Sequence, residues 1–516
     1  MFLAVLLFAV SLDPGVGHVH FAVSTKNGEA QRYFDQGMAY LYGFNHEAAV
    51  RSFGKAGEID PDLAMAWWGV ALALGPNINL DIDPDREKQA YDAVQTAMTK
   101  HATPKERDII ATLAKRYSND PQADLKKLAV DYSDAMGELS KKYPDDLNLA
   151  TLYAESMMDL HPWKLWSHDG IPAPGTERIV AVLESVLARD PNHLGANHYY
   201  VHAVEGSPHP ERARKSADRL RTLAPASGHL VHMPAHIYER TGNYAGAAEA
   251  NEKAAAVDRK FIAKNGSGGI YPLMYYNHNL QFGTASYLMD GNYEGAKRLG
   301  DEFGANAASI AREMQMVESA AATPLLVRLR FAKWSAVIGM PLATSGPMST
   351  VLSHFARGVA FARMGDLPAA AREQKAFEDA LKSVGDDPGF YQNPPKAIAK
   401  IAGGILDGRI AEAEGDHAKA IRAYERAVEA EDALDYDEPP DWFYPTRETL
   451  GGALLRDGQF AAAEKVFRDD LKRNPENPRS LFGLAEALKK QTKSAANVTA
   501  EFHRRWHGGA LSVADL

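Results

Sequence analysis

The chain has 516 residues, of which 45% are hydrophobic and 24% charged, with a formal net charge of −10. This is the balance of a globular protein, and the acidic surplus without a Lys/Arg run argues against a nucleic-acid partner, which needs a basic surface. Cysteine is absent, which excludes disulfides, thiolate ligands and a cysteine nucleophile. A transition metal would have to be held by imidazole and carboxylate.

The first element is Met1 to Val10, MFLAVLLFAV, followed by Ser-Leu-Asp-Pro. It is too short to span a bilayer but suits a signal-peptide core, although no Lys or Arg precedes it. Gly15-Val16-Gly17 offers small residues for cleavage. The expectation is a signal peptide over 1–17 and a periplasmic or secreted protein with no membrane span after its removal. Without cleavage the chain would be cytoplasmic. A cut after Gly17 would expose His18-Val19-His20, which resembles an amino-terminal copper/nickel-binding motif.

From Ala30 to Asp62, residues Gly37, Tyr40, Ala49, Phe53, Ala56 and Pro61 fall at spacings of 3, 9, 4, 3 and 5. Small residues let two helices approach, aromatics fill the gap between them, and the proline ends the second helix. The frame returns with Gly242, Tyr244, Ala247 and Ala254, and again with Gly291, Tyr293, Ala296 and Phe303. Gly358, Phe361, Ala370 and Phe377 follow, then Gly408, Gly415, Ala420, Tyr424 and Ala427. Its last clear copy has Gly451, Gly458, Phe460, Ala463, Phe467 and Pro475. The pattern resembles the tetratricopeptide repeat, and strand signals are missing. The resemblance implies an all-α superhelical solenoid of about ten antiparallel helix pairs. A first array over 18–260 would run on into a second over 261–516.

Four stretches interrupt the frame: Gly75 to Pro84, His161 to Pro174, Asn265 to Pro272 and Ala433 to Pro445. Such loops in a solenoid either cover the binding face or are tolerated surface insertions. The second carries His161, Trp163, Trp166 and His168, a candidate lid. Just before it, Glu155 stands where the repeat register aligns it with the histidines described next.

Ten of the 18 histidines lie between His161 and His278. One unit reads His198-x-x-x-His202-x-x-Glu205 and the next His232-x-x-x-His236-x-x-Glu239, each residue 34 positions from its counterpart. Positions i, i+4 and i+7 share one helix face. In the tetratricopeptide family the first helix of each pair lines the concave groove, so the resemblance implies two matching stripes facing that groove. His229 precedes the second stripe, and His278 takes the same place in the following unit. Paired imidazoles at i, i+4 converge readily on one ion. The set suits copper foremost, with zinc or iron as alternatives, whereas magnesium and calcium require more oxygen. The competing readings are plain repeat duplication and a polar site for an acidic peptide or small anion.

The last constellation, Glu438 to Arg447, reads EPPDWFYPTR. Glu438, Trp442 and Arg447 are candidates for a groove wall, against the alternative of a rigid, proline-rich packing segment. This stretch and His229 to Tyr238 (HLVHMPAHIY) resemble a group of bacterial tetratricopeptide proteins. The family implies capture of a protein or peptide in the concave groove and does not imply catalysis; a small molecule is the other ligand expected there. The residues themselves point to a metalloprotein with one or two transition-metal ions, extending to a metal-dependent oxidoreductase. A non-catalytic scaffold is the alternative.

Overall fold

The computed structural model of the protein describes residues 10–387 and 392–516. The apolar part of the expected signal peptide, residues 1–9, lies outside the described residues. Residues after it are packed: Val16 is buried, Tyr33 Oη donates to Val10 O, and Tyr40 Oη donates to Asp13 Oδ2.

Among the described residues there are helices, turns and isolated bridges but no strand. No helix among them is long and apolar enough to cross a membrane. They form two compact units. One contains the described residues up to Ile237 together with Glu252–Asn279; the other contains Tyr238–Asn251 and the described residues from Leu280 to Leu516.

The first unit opens with α1 (Gly28–Tyr42), α2 (His46–Ile59), α3 (Ala64–Leu74) and α4 (Pro84–Met98). Then come α5 (Pro104–Leu113), α6 (Leu125–Lys142), α7 (Leu147–Met158), α8 (Thr176–Arg189), α9 (Leu194–Glu205) and α10 (Arg214–Leu223). Two short helices, α11 (Gly228–His232) and α12 (Pro234–Arg240), precede α13 (Tyr244–Asn265), a π-turn over Pro272–Tyr276 and α14 (Asn277–Asp290). Asn and Asp side chains start many of these helices by accepting free backbone N–H groups, as Asn27, Asn45, Asp124 and Asp146 do.

The second unit contains α15 (Tyr293–Ile310), α16 (Thr323–Arg330), α17 (Trp334–Gly339), α18 (Pro347–Arg363) and α19 (Leu367–Leu381). It ends with α20 (Pro395–Glu414), α21 (His417–Asp432), α22 (Thr446–Arg456), α23 (Phe460–Arg473), α24 (Pro478–Lys490) and α25 (Ala496–Arg505).

One packing device recurs in both units. Phe53 on α2 is fully buried between Gly37 on α1 and Gly69 on α3, and a Cβ at either glycine would lie 2.5 Å from its ring. In the second unit Phe467 on α23 sits against Gly451 and Gly483, where the corresponding distances are 2.4 and 2.2 Å. Only glycine fits such an approach, so each aromatic locks three successive helices.

The four interruptions fall between helices, as the broken frame predicts. Gly75 to Pro84 joins α3 to α4, and His161 to Pro174 joins α7 to α8. Asn265 to Pro272 leads into the π-turn, and Ala433 to Pro445 joins α21 to α22. The HLVHMPAHIY stretch is divided at Pro234, which has no N–H to continue the helix ladder and begins α12 instead.

Candidate metal centre

The site is built from α9, α11, α12 and the start of α14. His198 and His202 lie one turn apart on α9, a helix whose twelve residues are all buried. His229 and His232 are on α11, His236 on α12 and His278 on α14. Three residues apart on a 3.6-residue turn, His229 and His232 point to adjoining sides of α11. The structure therefore sorts the imidazoles across helices. His198, His202 and His229 form one group, and His232, His236 and His278 form a second. Within each group one nitrogen per residue lies within 4.8 Å of the others.

The groups adjoin. The rings of His202 and His236 have centroids 5.4 Å apart, and those of His229 and His232 are 5.8 Å apart. Glu205 lies between the groups: His202 Nδ1 donates to its Oε1 at 2.8 Å, and His236 Nδ1 lies 2.5 Å from its Oε2. His198 Nδ1 donates to the Tyr42 carbonyl at 2.6 Å. A proton fixed on Nδ1 leaves Nε2 with its lone pair free to ligate, an orientation that outer-shell acceptors commonly impose on metal-binding histidines. Those nitrogens face other imidazoles. His198 Nε2 is 3.0 Å from His229 Nε2, and His232 Nε2 is 2.7 Å from His236 Nε2. His229 Nδ1 is buried without a hydrogen-bond partner.

The electrostatics keep three of these rings, His198, His229 and His278, neutral. Burial, then the neighbouring imidazoles, pushes His198 and His229 well below the ordinary histidine range. His278 is pushed down to about 3, by burial first and then by His236. Neutral imidazole is the form that binds metal.

The groove-facing stripes expected from the repeat register need correction. His198, His202, His229, His232 and His236 are all at most 5% exposed, and His278 is half-buried. Aromatic side chains fill the space that a groove would leave. Phe44, held at a φ of 54° in the α1–α2 turn, places its ring 4.5 Å from His198, 5.4 Å from His229 and 5.8 Å from His202. Tyr275 in the π-turn lies 4.8 Å from His229 on edge. Behind His229, Tyr271 Oη accepts its backbone N–H and donates to buried Asp258.

The remaining sequence candidates divide. Glu205 belongs to the centre, whereas Glu239, its counterpart 34 residues on, accepts Ser286 Oγ at 3.0 Å. Glu155 is buried beside Asp159, which pairs with Arg116 at 2.5 Å, and neither histidine group includes it. Burial and the Asp159 carboxylate hold Glu155 well above the carboxylate range. His161, Trp163 and Trp166 are half-buried and His168 is exposed. Trp166 Nε1 donates to Ala203 O on α9 at 2.8 Å, which fastens that loop next to His202. Trp442 is a core residue rather than a groove wall, packed among Phe355, Phe443 and Tyr444. Arg447 is occupied by both oxygens of Asp432, and Glu438 is buried. Phe44 and Tyr275 were not identified from the sequence. The positive φ of Phe44 and the π-turn, which set their placement, have no periodic signature.

Residues 408–433 and 449–501 match the family described as Tetratricopeptide repeat. The glycine–aromatic frame is realised as stacked helices in both units. The chain carries tetratricopeptide repeats. No curated protein matches its sequence. Among solved structures, the tetratricopeptide chain is similar to a human IFIT1 dimer with m7Gppp-AAAA at 12% identity, covering 94% of this chain and 90% of that one, TM-score 0.34. It is similar to the APC/C hetero-tetramer Cut9-Hcn1 at 12% identity, covering 90% and 78%, TM-score 0.32. For yeast Tom70 the identity is 13%, the coverage 93% of each chain and the TM-score 0.29.

Proposed function

We propose that this tetratricopeptide protein is a metalloprotein that holds two adjacent transition-metal ions, one in each three-histidine group. The observation that carries the reading is the pairing of those groups about Glu205, with ligand nitrogens converging within each. Three imidazoles leave an ion with open positions, so the centre would have room for an exogenous ligand as well as for storage. An all-nitrogen, neutral ligand set favours copper by affinity, with zinc next. Two adjacent copper ions would supply one-electron steps in pairs, which makes a metal-dependent oxidoreductase the catalytic form of the proposal.

Elemental analysis of untagged protein tests it. The expected result is one ion per group, with copper giving a visible or paramagnetic signature that zinc lacks. Protein that takes up no metal after exposure to copper and zinc would reject the reading and leave the peptide-binding scaffold in its place. Export is part of the same proposal. Mass spectrometry of native protein should find a start near His18, and an intact Met1 would count against it.

A further inference from the structure

Within the second unit, lined in part by the stretch of α14 that follows His278, there is a cavity of about 620 Å³. That is the size range of a site for a small organic molecule. Its walls are apolar: Leu288, Phe303, Val327, Met348, Leu352 and Ile398 line it, each at most 9% exposed. Its charged lining is of one sign. Glu313, Glu318, Asp387 and Asp441 contribute, and among the described lining residues there is no lysine, arginine or histidine.

The carboxylates are not equivalent. Glu318 is buried and accepts the backbone N–H groups of Met348 at 2.6 Å and Ser349 at 2.8 Å, so the amino-terminal end of α18 balances its charge. Asp441 has a neutral partner instead, accepting from Asn393 Nδ2 at 2.8 Å. It is half-buried, and burial pushes it up to about 6, with Asp437 raised beside it. A partly desolvated carboxylate without a protein cation gains most from a positive charge brought by a ligand. Phe303 and Phe443 add aromatic side chains to the same lining, and aromatic rings attract organic cations.

We infer that this cavity binds an organic ammonium ion with an apolar body, its charge beside Asp441 and its body against the Leu288, Phe303 and Val327 wall. The inference is independent of the metal reading, because every group it uses lies in the second unit. Neutral and anionic molecules with the same body fill the same volume without answering the charge, so selectivity among them is the signature.

The test is calorimetric titration of the full-length protein with three probes sharing one body: trimethyl(4-phenylbutyl)ammonium, 4-phenylbutanol and 4-phenylbutyrate. The quaternary ammonium has no lone pair, so the histidine centre cannot take it up as a ligand. It should bind about tenfold more tightly than the alcohol, a difference of about 1.4 kcal/mol, with the carboxylate weakest. Asp441→Asn should bring the ammonium to the level of the alcohol while leaving the alcohol unchanged. Gln281→Trp, which places bulk at a half-buried lining position, should remove binding of all three. Equal affinity for ammonium and alcohol, an ammonium preference that survives Asp441→Asn, or no binding to the unmodified protein would each overturn the inference.

Discussion

Helices α9 and α22 both hide almost every side chain, and both hide ionisable ones, yet they satisfy them in opposite ways. On α22, Glu448 receives both terminal nitrogens of Arg330, at 2.5 and 3.0 Å, and Asn477 Nδ2 at 2.9 Å. That arrangement balances its charge internally: an anion, a cation and neutral donors. On α9, His198 and His202 each commit Nδ1 to an acceptor, and their group is completed by a third imidazole from α11. In the His198–His229 and His232–His236 pairs the Nε2 atoms lie at hydrogen-bond distance, so one ring of each pair supplies the bridging proton in the absence of an ion. A buried cluster with its own anion and cation is structural, whereas one built from several imidazoles about a single carboxylate has nitrogens that a cation from outside can take up.

The largest effect expected from this contrast is on metal content. Replacing His202 and His236 together by Ala removes one ligand from each group, and bound metal should fall from one ion per group to none. In the unmodified protein a chelator should lower stability by about 3–4 kcal/mol for each ion removed, at metal concentrations of 100 to 1,000 times Kd. Because both histidines are buried, the double variant will also lose packing, so circular dichroism must confirm that it stays helical. Full metal retention in a folded double variant would break the distinction between the two helices.

On α22 the expectation is reversed. Glu448→Ala strands the buried Arg330 guanidinium and should cost about 3–5 kcal/mol while leaving metal content untouched. Phe467→Ala, which empties the space between two glycine-lined helices, should cost about 3–5 kcal/mol, and Phe53→Ala in the first unit about the same. Equilibrium denaturation and elemental analysis of the same preparations check both halves of the statement. A cost well under 1 kcal/mol at either Phe would show that the shared wedge carries little of the stability.

The wedge was legible in the sequence because it is periodic: glycine and aromatic positions recur in a fixed frame, and packing needs them there. The six histidines and Glu205 were legible for a similar reason, through i, i+4 spacing and the 34-residue echo. Their grouping was not. It depends on Pro234 dividing α11 from α12, on His229 and His232 turning to different sides of α11, and on Phe44 closing over one group, none of which a repeat register encodes. Glu239 repeats Glu205 in the register but meets Ser286. Trp442 and Arg447 looked like ligand groups because of their type, and long-range packing decided their use.

Glu205 offers a sharper and smaller test. A carboxylate accepts at both oxygens, whereas the Gln amide offers one acceptor and one donor. Glu205→Gln therefore cannot accept a proton from both His202 Nδ1 and His236 Nδ1, and one of these rings loses the bond that fixes its tautomer. Outer-shell changes of this kind weaken metal binding by about 10–100-fold. Competition with a chromophoric chelator should show that loss with helical content unchanged. Unaltered affinity would reduce Glu205 to a packing residue.

The smallest expected effect concerns the loop between α7 and α8. Trp166 Nε1 donates to Ala203 O, one residue beyond His202, so the indole is tied to the backbone of the helix that carries His198 and His202. Trp166→Phe removes that bond and keeps an apolar ring in place. The cost should be about 1 kcal/mol, the usual worth of a single hydrogen bond. Metal content should not change, because neither group of histidines includes a residue of this loop. In the parent protein, Trp166 fluorescence should shift on metal binding, since ordering of His202 reaches the indole through one peptide unit. A response that persists in Trp166→Phe would assign the signal to another tryptophan. A loss of metal in that variant would mean that the loop holds the α9 ligands in place, and that the site extends beyond the imidazoles and Glu205.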